Sequence, residues 1–286
     1  MGAAGLPSLA VAQTRKLKIG CTSLIWGAVP RTPENLAAAV ADMARLGFHG
    51  FETFAAIVED WDSKGTLSGL IEKHEIPLIS AYASLQLVDP AARKEDLAKL
   101  IRWGKVVKKH GGRFIVLAPN RVERERYDFQ EHRANIVAAL NEYAMAVNDL
   151  GLGAGLHQHT NTAIETRDET YAVMEAVNTD HCKFAPDVGQ LQKGGADAVQ
   201  VVKDFLPITV HMHLKDYLGG EHFAGYCPLG QGKVDLEAIL DLIEGTNPTA
   251  NIMVELDGSE DAPYSPRETA EISKAYLETL GYTFLT

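Results

Sequence analysis

The feature that most constrains the fold is an alternation that repeats eight times from residue 16 onward: a short apolar segment of β-type residues, then an amphipathic segment with helical spacing. Short apolar strands separated by helices are typical of a parallel sheet covered by helices. Eight such units in 286 residues predict a single (β/α)8 TIM barrel. The alternative is a doubly wound sheet, but no GxGxxG turn follows the first strand. The predicted strands cover residues 17–26, 50–54, 77–83, 114–118, 153–159, 182–188, 208–214 and 251–256.

The alternation also bears on domain organisation. No long segment rich in Pro, Gly or Ser interrupts it, so residues 16–286 are predicted to form one domain. Residues 1–15 are expected to be a flexible start. The sequence AVAQ at 10–13 resembles the end of a signal peptide, although a basic n-region and a full apolar core are missing. We expect a periplasmic protein if residues 1–12 are a signal remnant and a cytoplasmic protein otherwise.

The charge of the chain restricts its partners. A formal net charge of −11 argues against nucleic acid, because binding a polyanion requires a basic surface. The sequence contains no run of roughly eighteen apolar residues, so no membrane-spanning helix is expected. The charge is compatible with a small neutral ligand or with a site that holds a cation. A homodimer is a further expectation for a barrel of this kind.

Polar residues follow the predicted strands on one side only. In a barrel of this type the catalytic residues lie at the carboxyl ends of the strands. The strand starts offer little beyond Lys, Gly and Asn. We therefore predict the functional face at the carboxyl ends. The residues found there are Trp26, Glu52, Tyr82, Asn120, His157, His159, Asp187, His213, Lys215 and Glu255.

Two histidine-rich segments contribute to this face. His157 and His159 are two residues apart, so on a strand they point to the same side. The segment HMHLKD places His211, His213 and Lys215 on one side of the seventh strand. Three ionisable groups on one side of a short buried strand are difficult to satisfy as core residues. At least one should be functional, and His213 is preferred over His211 as a ligand because it lies nearer the carboxyl end.

Two carboxylates end the sixth and eighth strands. Asp187 is either a helix N-cap or a ligand, and we favour the ligand because Gly194-Gly195 intervene before the next predicted helix. Glu255 is a ligand, a base or a surface residue, and Asp257 beside it is expected to take the exposed position. Carboxylates and histidine together suit Mn²⁺, Co²⁺, Mg²⁺ or Zn²⁺. One such ion would act as a Lewis acid on a substrate carbonyl or hydroxyl.

Four motifs resemble a known superfamily: DVGQ at 187–190, HMHLKD at 211–216, PLGQGKVD at 228–235 and MVELD at 253–257. They are similar to the xylose-isomerase-like TIM barrels, which include sugar isomerases and epimerases, inosose dehydratase, hydroxypyruvate isomerase and endonuclease IV. The resemblance covers essentially residues 16 to 282. The histidine-rich run of the fifth strand looks closest to the inosose-dehydratase-like branch.

The resemblance implies one divalent metal ion held by Glu, Asp, His and Glu from the fifth to eighth strands. It carries over directly to Asp187, His213 and Glu255. At the fifth strand many relatives have Leu-Glu, whereas this chain has Leu followed by His157. Either His157 takes the ligand position or Glu165 reaches back from the loop. We favour Glu165 as the metal ligand, because a second carboxylate better balances a divalent charge.

The remaining polar residues are then expected to contact substrate. His157 is assigned to this role together with Glu52 and His211. Gln190 is added because several relatives have a substrate-contacting histidine at that position. The substrate expected from the resemblance is a small sugar or cyclitol.

The shared chemistry of the superfamily is removal of a proton next to a carbonyl, which gives an enediolate. The predicted function is a metal-dependent sugar or cyclitol isomerase or epimerase, with Glu255 or His159 as base and Lys215 stabilising the oxyanion. A keto-cyclitol (inosose) or keto-sugar dehydratase is the first alternative, and a non-catalytic sugar-binding barrel is the second. Endonuclease activity is disfavoured by the net charge and by Glu52 and Tyr82 at the early strands. Replacing Lys215 by methionine should reduce turnover far more than metal content.

Overall fold

A computed structural model describes residues 15–27, 32, 34–257 and 262–286. The start predicted to be flexible therefore lies, except for Arg15, outside the described residues. Eight parallel strands form one sheet, and two short strands, β8 and β9, pair separately as an antiparallel hairpin. The strands are β1 Ile19–Thr22, β2 Phe51–Phe54, β3 Leu78–Leu85, β4 Phe114–Pro119, β5 Gly153–Leu156, β6 Cys182–Phe184, β7 His211–Leu214, β8 Asp216–Tyr217, β9 Tyr226–Cys227 and β10 Asn251–Val254.

The parallel sheet curls into a nearly closed barrel. Its strand order is β6-β5-β4-β3-β2-β1-β10-β7. The two edge strands come together through isolated parallel bridges, Phe184 with Thr209 and Asp187 with His213. The predicted (β/α)8 barrel is thus confirmed. Several strands are shorter than predicted: β5 ends at Leu156 rather than at residue 159, because the residues that follow leave the ladder and form the site.

Helices connect the strands and cover the outside of the barrel. Local sequence sets the starts of six helices. An aspartate side chain accepts a hydrogen bond from the first turn of the helices that begin at Phe129, Val188, Ala198 and Leu236, and capping boxes begin those at Arg167 and Pro266. The helices are α1 Asn35–Arg45, α2 Ala55–Ser63, α3 Leu67–His74, α4 Arg93–Lys109, α5 Phe129–Asp149, α6 Arg167–Met174, α7 Val188–Lys193, α8 Ala198–Asp204, α9 Leu236–Thr246 and α10 Pro266–Thr279. Within the described ranges, every helix is too short or too polar to cross a bilayer.

The barrel interior contains an apolar cluster beneath the polar site. Phe114, Val116 and Ala185 pack together there, and the ring of His211 stacks on Phe114 with centroids 4.8 Å apart. Gly155 makes room for this packing, because a Cβ atom at that position would lie 2.9 Å from the Phe114 ring. The cluster closes the barrel from below, and the polar residues are held above it at the carboxyl ends of the strands.

Candidate active site

A cavity of about 160 Å³ opens at the carboxyl ends of the strands. Its lining is a mixture of charged, polar and aromatic side chains. The cavity therefore lies on the side of the barrel that the strand-end residues predicted. Among its lining residues are Glu52, Tyr82, Asn120, Arg121, His159, Thr162, Glu255 and Asp257.

Three buried side chains converge beside this cavity. One donor atom each from His157, Asp187 and His213 lies within 4.8 Å of the others, and all three residues are 0% exposed. His157 Nε2, Asp187 Oδ2 and His213 Nδ1 make no hydrogen bond of good geometry in the described structure. Buried polar atoms are normally satisfied. Asp187 Oδ2 nevertheless lies 2.9 Å from Lys215 Nζ, and His213 Nδ1 lies 3.1 Å from Glu255 Oε2. Together with His157 Nε2, these atoms form a buried donor set of a kind that suits a divalent cation.

His157 and Asp187 are each fixed through their other polar atom. His157 Nδ1 donates to the carbonyl of Ala185 at 3.2 Å, which leaves Nε2 as a lone-pair donor. Burial lowers the pKa of His157 well below its usual value, so the ring is neutral. Asp187 Oδ1 accepts a hydrogen bond from the backbone N–H of Gln190 at 3.0 Å. The expectation that Asp187 is not an N-cap was wrong, since α7 begins directly after it; one oxygen caps the helix and the other faces the cluster.

Glu52 orients His213 from the opposite side. Glu52 Oε1 lies 2.6 Å from His213 Nε2, and Oε2 lies 3.0 Å from His211 Nε2 and accepts a hydrogen bond from Ser80 Oγ. Burial alone would raise the pKa of Glu52, but the two imidazoles lower it well below its usual range. This carboxylate fixes the ring of His213 so that Nδ1 faces the cluster, an arrangement that commonly supports metal-binding histidines.

Lys215 carries a fully buried positive charge among carboxylates. Its Nζ lies 2.9 Å from Asp187 Oδ2, 2.8 Å from Glu255 Oε1 and 3.1 Å from Asp257 Oδ2. Burial would lower the pKa of Lys215, but these carboxylates raise it well above its usual value. Asp257 was expected to be the exposed neighbour of Glu255; the structure corrects this, because Asp257 contacts Lys215 and lines the cavity.

Glu255 joins the lysine to the histidine. Its second oxygen, Oε2, lies 3.1 Å from His213 Nδ1. Burial would raise the pKa of Glu255, but the nearby His213 and Lys215 lower it well below its usual value, so the carboxylate is ionised. Burial would lower the pKa of His213, but Glu255 on one side of the ring and Glu52 on the other raise it well above its usual value. These two carboxylates therefore favour the protonated form of the His213 ring.

His159 and Gln190 form a hydrogen-bonded pair at one edge of the cavity. His159 Nδ1 donates to the carbonyl of Thr160 at 2.7 Å, and Nε2 accepts from Gln190 Nε2 at 2.8 Å. Gln190 Oε1 in turn accepts from Thr160 Oγ1 at 2.7 Å. Burial lowers the pKa of His159, which favours the neutral ring. Both ring nitrogens of His159 therefore have hydrogen-bond partners within the described structure.

Two other predicted residues are not part of this cluster, although His211 forms a second group of possible metal ligands with Glu52 and His213. Glu165 is held at the start of α6, where it accepts a hydrogen bond from the Asn161 N–H and lies 3.6 Å from Arg124 Nε. The structure brings His157, and not Glu165, to Asp187 and His213. His211 lies beneath Glu52 and is not among the residues that line the cavity.

Comparison with known proteins places this geometry in a family. The model of the xylose isomerase-like TIM barrels matches residues 40–280. The chain belongs to this family. The resemblance predicted from the strand-end motifs is therefore confirmed. Among curated proteins, the chain is 22% identical over 266 residues to an inosose dehydratase of Clostridium botulinum (strain Alaska E43 / Type E3), with 84% of this chain and 88% of the relative covered.

Solved structures show the same fold. The IOLI protein with a bound zinc atom has a TM-score of 0.75 at 16% identity, covering 94% of this chain and 100% of that one. A family member from Mycobacterium smegmatis in complex with magnesium has a TM-score of 0.71 at 18% identity, covering 93% and 97%. The 3-keto-D-glucoside 4-epimerase YcjR of E. coli has a TM-score of 0.68 at 17% identity, covering 93% and 99%. Family membership and these names support an enzyme that modifies a sugar or a cyclitol.

Proposed function

We propose that this protein is a divalent-metal-dependent dehydratase that removes a proton next to the carbonyl of a keto-cyclitol or keto-sugar and expels the neighbouring hydroxyl group as water. The observation that carries the proposal is the convergence of three buried donor atoms, from His157, Asp187 and His213, next to Lys215 and to Glu255, which lines the cavity. The inosose dehydratases among the sequence relatives support dehydration as the outcome.

The metal would be held by His157, Asp187, His213 and Glu255. Two imidazoles and two carboxylates suit Mn²⁺, Co²⁺ or Zn²⁺ better than Mg²⁺, which prefers an all-oxygen shell. When bound, a divalent ion supplies Lewis acidity at the substrate carbonyl and stabilises the negative charge that develops there. This set replaces Glu165, the fifth-strand ligand favoured from sequence, by His157.

Glu255 and Lys215 are proposed as the acid–base pair. The ionised Glu255 accepts the proton from the carbon next to the carbonyl, and the electron pair of that C–H bond forms the new double bond. Lys215 donates a proton to the departing hydroxyl group, which leaves as water. Because Glu255 Oε1 and Lys215 Nζ are 2.8 Å apart, the proton can pass from the carboxyl group to the amine, which restores both groups.

Isomerisation with a single base is the second candidate. Inversion of a carbon centre by two bases needs an acid–base group on each face of the substrate. Glu52, the carboxylate on the far side of His213, has both oxygens engaged by His213, His211 and Ser80. With Glu255 as its single base, the proposed mechanism fits elimination or a proton shift between neighbouring carbons.

Incubation of the metal-loaded protein with inososes and keto-sugars in D₂O tests the proposal by NMR and mass spectrometry. Dehydration predicts a product lighter by one water, and Glu255→Gln should abolish its formation while the fold is retained. Deuterium gain in a product of unchanged composition would instead establish the isomerase. If the metal-loaded protein binds these compounds but produces neither a change nor hydrogen exchange, the barrel is a binding protein and the proposal is wrong.

A further inference from the structure

Arg121 is a positive charge at the cavity that the proposed chemistry does not use. It follows Asn120 at the end of β4, is exposed, and lines the same cavity as Glu255 and His159. Its backbone is fixed by an antiparallel bridge to Thr162. The residue is therefore held at the cavity wall by its backbone rather than carried on a distant loop.

The guanidinium of Arg121 has no hydrogen-bond or ion-pair partner in the part of the chain that the structure describes, although acidic residues lie nearby. Each of those acids is committed elsewhere. Glu165 lies 3.6 Å and Glu169 lies 2.7 Å from the guanidinium of Arg124, and Asp257 contacts Lys215.

The carboxylates at the cavity floor are likewise engaged. Glu52 is held between two histidines, and Glu255 contacts Lys215 and His213. A chain with a net charge of −11 has thus kept one arginine at the mouth of its site free of an internal partner. Arginine presents a planar set of donors that matches a carboxylate or a phosphate. A neutral polyol would make no use of that charge.

We propose that Arg121 binds an anionic group of the substrate, a carboxylate or a phosphate, so that the enzyme acts on an acidic keto-cyclitol or keto-sugar in preference to a neutral one. This inference rests on the proposed function, because it takes the cavity to be the substrate site. Asn120 and Thr162 flank Arg121 on the cavity wall and supply neutral hydrogen-bonding groups for the same anion. The metal cluster then receives the carbonyl end of the molecule.

Calorimetric titration of the metal-loaded protein with three unreactive probes tests this inference. The probes are myo-inositol, its 1-phosphate and quinate, a ring polyol that carries a carboxylate. We expect at least one anion to bind about tenfold more tightly than inositol at low salt, and the preference to shrink as salt is added. Whether quinate or the phosphate is preferred distinguishes the two sources of charge.

Variants of Arg121 make the test specific. Arg121→Gln should remove the preference for the anion while the affinity for inositol is kept, and Arg121→Lys should retain part of it. Arg126→Gln is the matched control, because it removes the same charge from an exposed arginine that lies 3.3 Å from Glu123 outside the cavity. Its preference should equal that of the wild type.

Anions that bind no more tightly than inositol, or not at all, would overturn the inference, as would a preference that survives Arg121→Gln. Wild-type protein that dehydrates neutral inososes as efficiently as acidic keto-cyclitols or keto-sugars would refute the inference and leave the proposed dehydratase standing. Anion binding that depends on Arg121, in a protein that catalyses no reaction or hydrogen exchange, would refute the dehydratase and leave the anion site.

Discussion

Replacing Lys215 by methionine should separate the catalytic role of its charge from metal binding. Methionine has a similar length and no charge, so the change removes the ammonium from among three carboxylates that lie within 3.1 Å of it. Two of these, Asp187 and Glu255, are buried, and Lys215 itself is 0% exposed. The substitution therefore leaves buried negative charge without its nearest cation.

The size of the effect depends on whether the metal is present. Removing one partner of a buried ion pair costs about 3–5 kcal/mol, which for a domain of this size lowers the Tm of the metal-free protein by about 10 °C. A divalent ion next to Asp187 and Glu255 supplies the missing positive charge. We therefore expect the metal to raise the Tm of Lys215→Met by more than it raises that of the wild type.

The loss of stability should also depend on pH. In the wild type the pKa values of Glu255 and Asp257 are lowered, because Lys215 and nearby histidines outweigh burial. Their stabilising contribution is present above the unfolded pKa of about 4 and is lost as the pH falls through their lower folded values. In Lys215→Met the pKa values of these carboxyl groups rise, and protonation relieves the repulsion. The difference in stability between the two proteins should be largest near neutral pH and shrink toward about pH 4.

Thermal melts with a chelator and with Mn²⁺, together with metal content and turnover, provide the measurements. Lys183→Met is the control, because Lys183 lies on the neighbouring strand β6 and its Nζ donates to the carbonyl of Thr179, with no carboxylate partner among the described residues. Turnover of Lys215→Met should fall by at least about a hundredfold while metal content stays near that of the wild type. Equal losses of metal and turnover, or a metal-free protein as stable as the wild type, would refute the reasoning.

Three further predictions concern the proposed metal ligands. Glu52→Gln should weaken metal binding about 10- to 100-fold, since His213 loses its orienting carboxylate, while Glu59→Gln on α2 should not; equal affinities in competition titrations would contradict this. His157→Ala should lose bound metal and Glu165→Ala should keep it. The reverse pattern of metal content would show that Glu165, the ligand favoured from sequence, binds the metal. Because carboxylates raise the pKa of His213, metal binding should release about one proton near neutral pH and weaken as the pH falls. Calorimetry in buffers of different ionisation enthalpy measures this release. A binding enthalpy that is the same in every buffer would contradict the prediction.

The sequence was sufficient to predict the barrel because each strand and helix is specified locally. Apolar runs mark the strands, aspartate caps and capping boxes begin α5 to α10, and (β/α)8 closure follows from the number of units. The position of the polar face could also be predicted, because polar residues follow the strands in sequence and parallel strands place their carboxyl ends on one side of the barrel. The exact strand ends could not, because they depend on tertiary contacts such as that of the His157 side chain with the carbonyl of Ala185.

The contacts within the site could not be derived from spacing along the chain. Glu52 and His213 are 161 residues apart, and only barrel closure brings β2 and β7 onto one interior. Glu165 was favoured on charge balance alone, whereas Arg124, from a different loop, pairs with it. Arg121 could not be assigned a role from sequence, because a single arginine after a strand carries no functional signal. Its lack of an internal partner becomes evident only in the structure.

Metal content of the purified, untagged protein is the most direct test of the central claim, and two aspartates make it well controlled. Asp187 and Asp197 both cap a helix by accepting a hydrogen bond at 3.0 Å from the N–H of a glutamine three residues later. Only Asp187 faces His157 and His213. We predict about one equivalent of Mn, Co or Zn in the wild type and in Asp197→Ala, and none in Asp187→Ala. Wild-type protein that takes up no metal after reloading, or Asp187→Ala that retains it, would contradict the account.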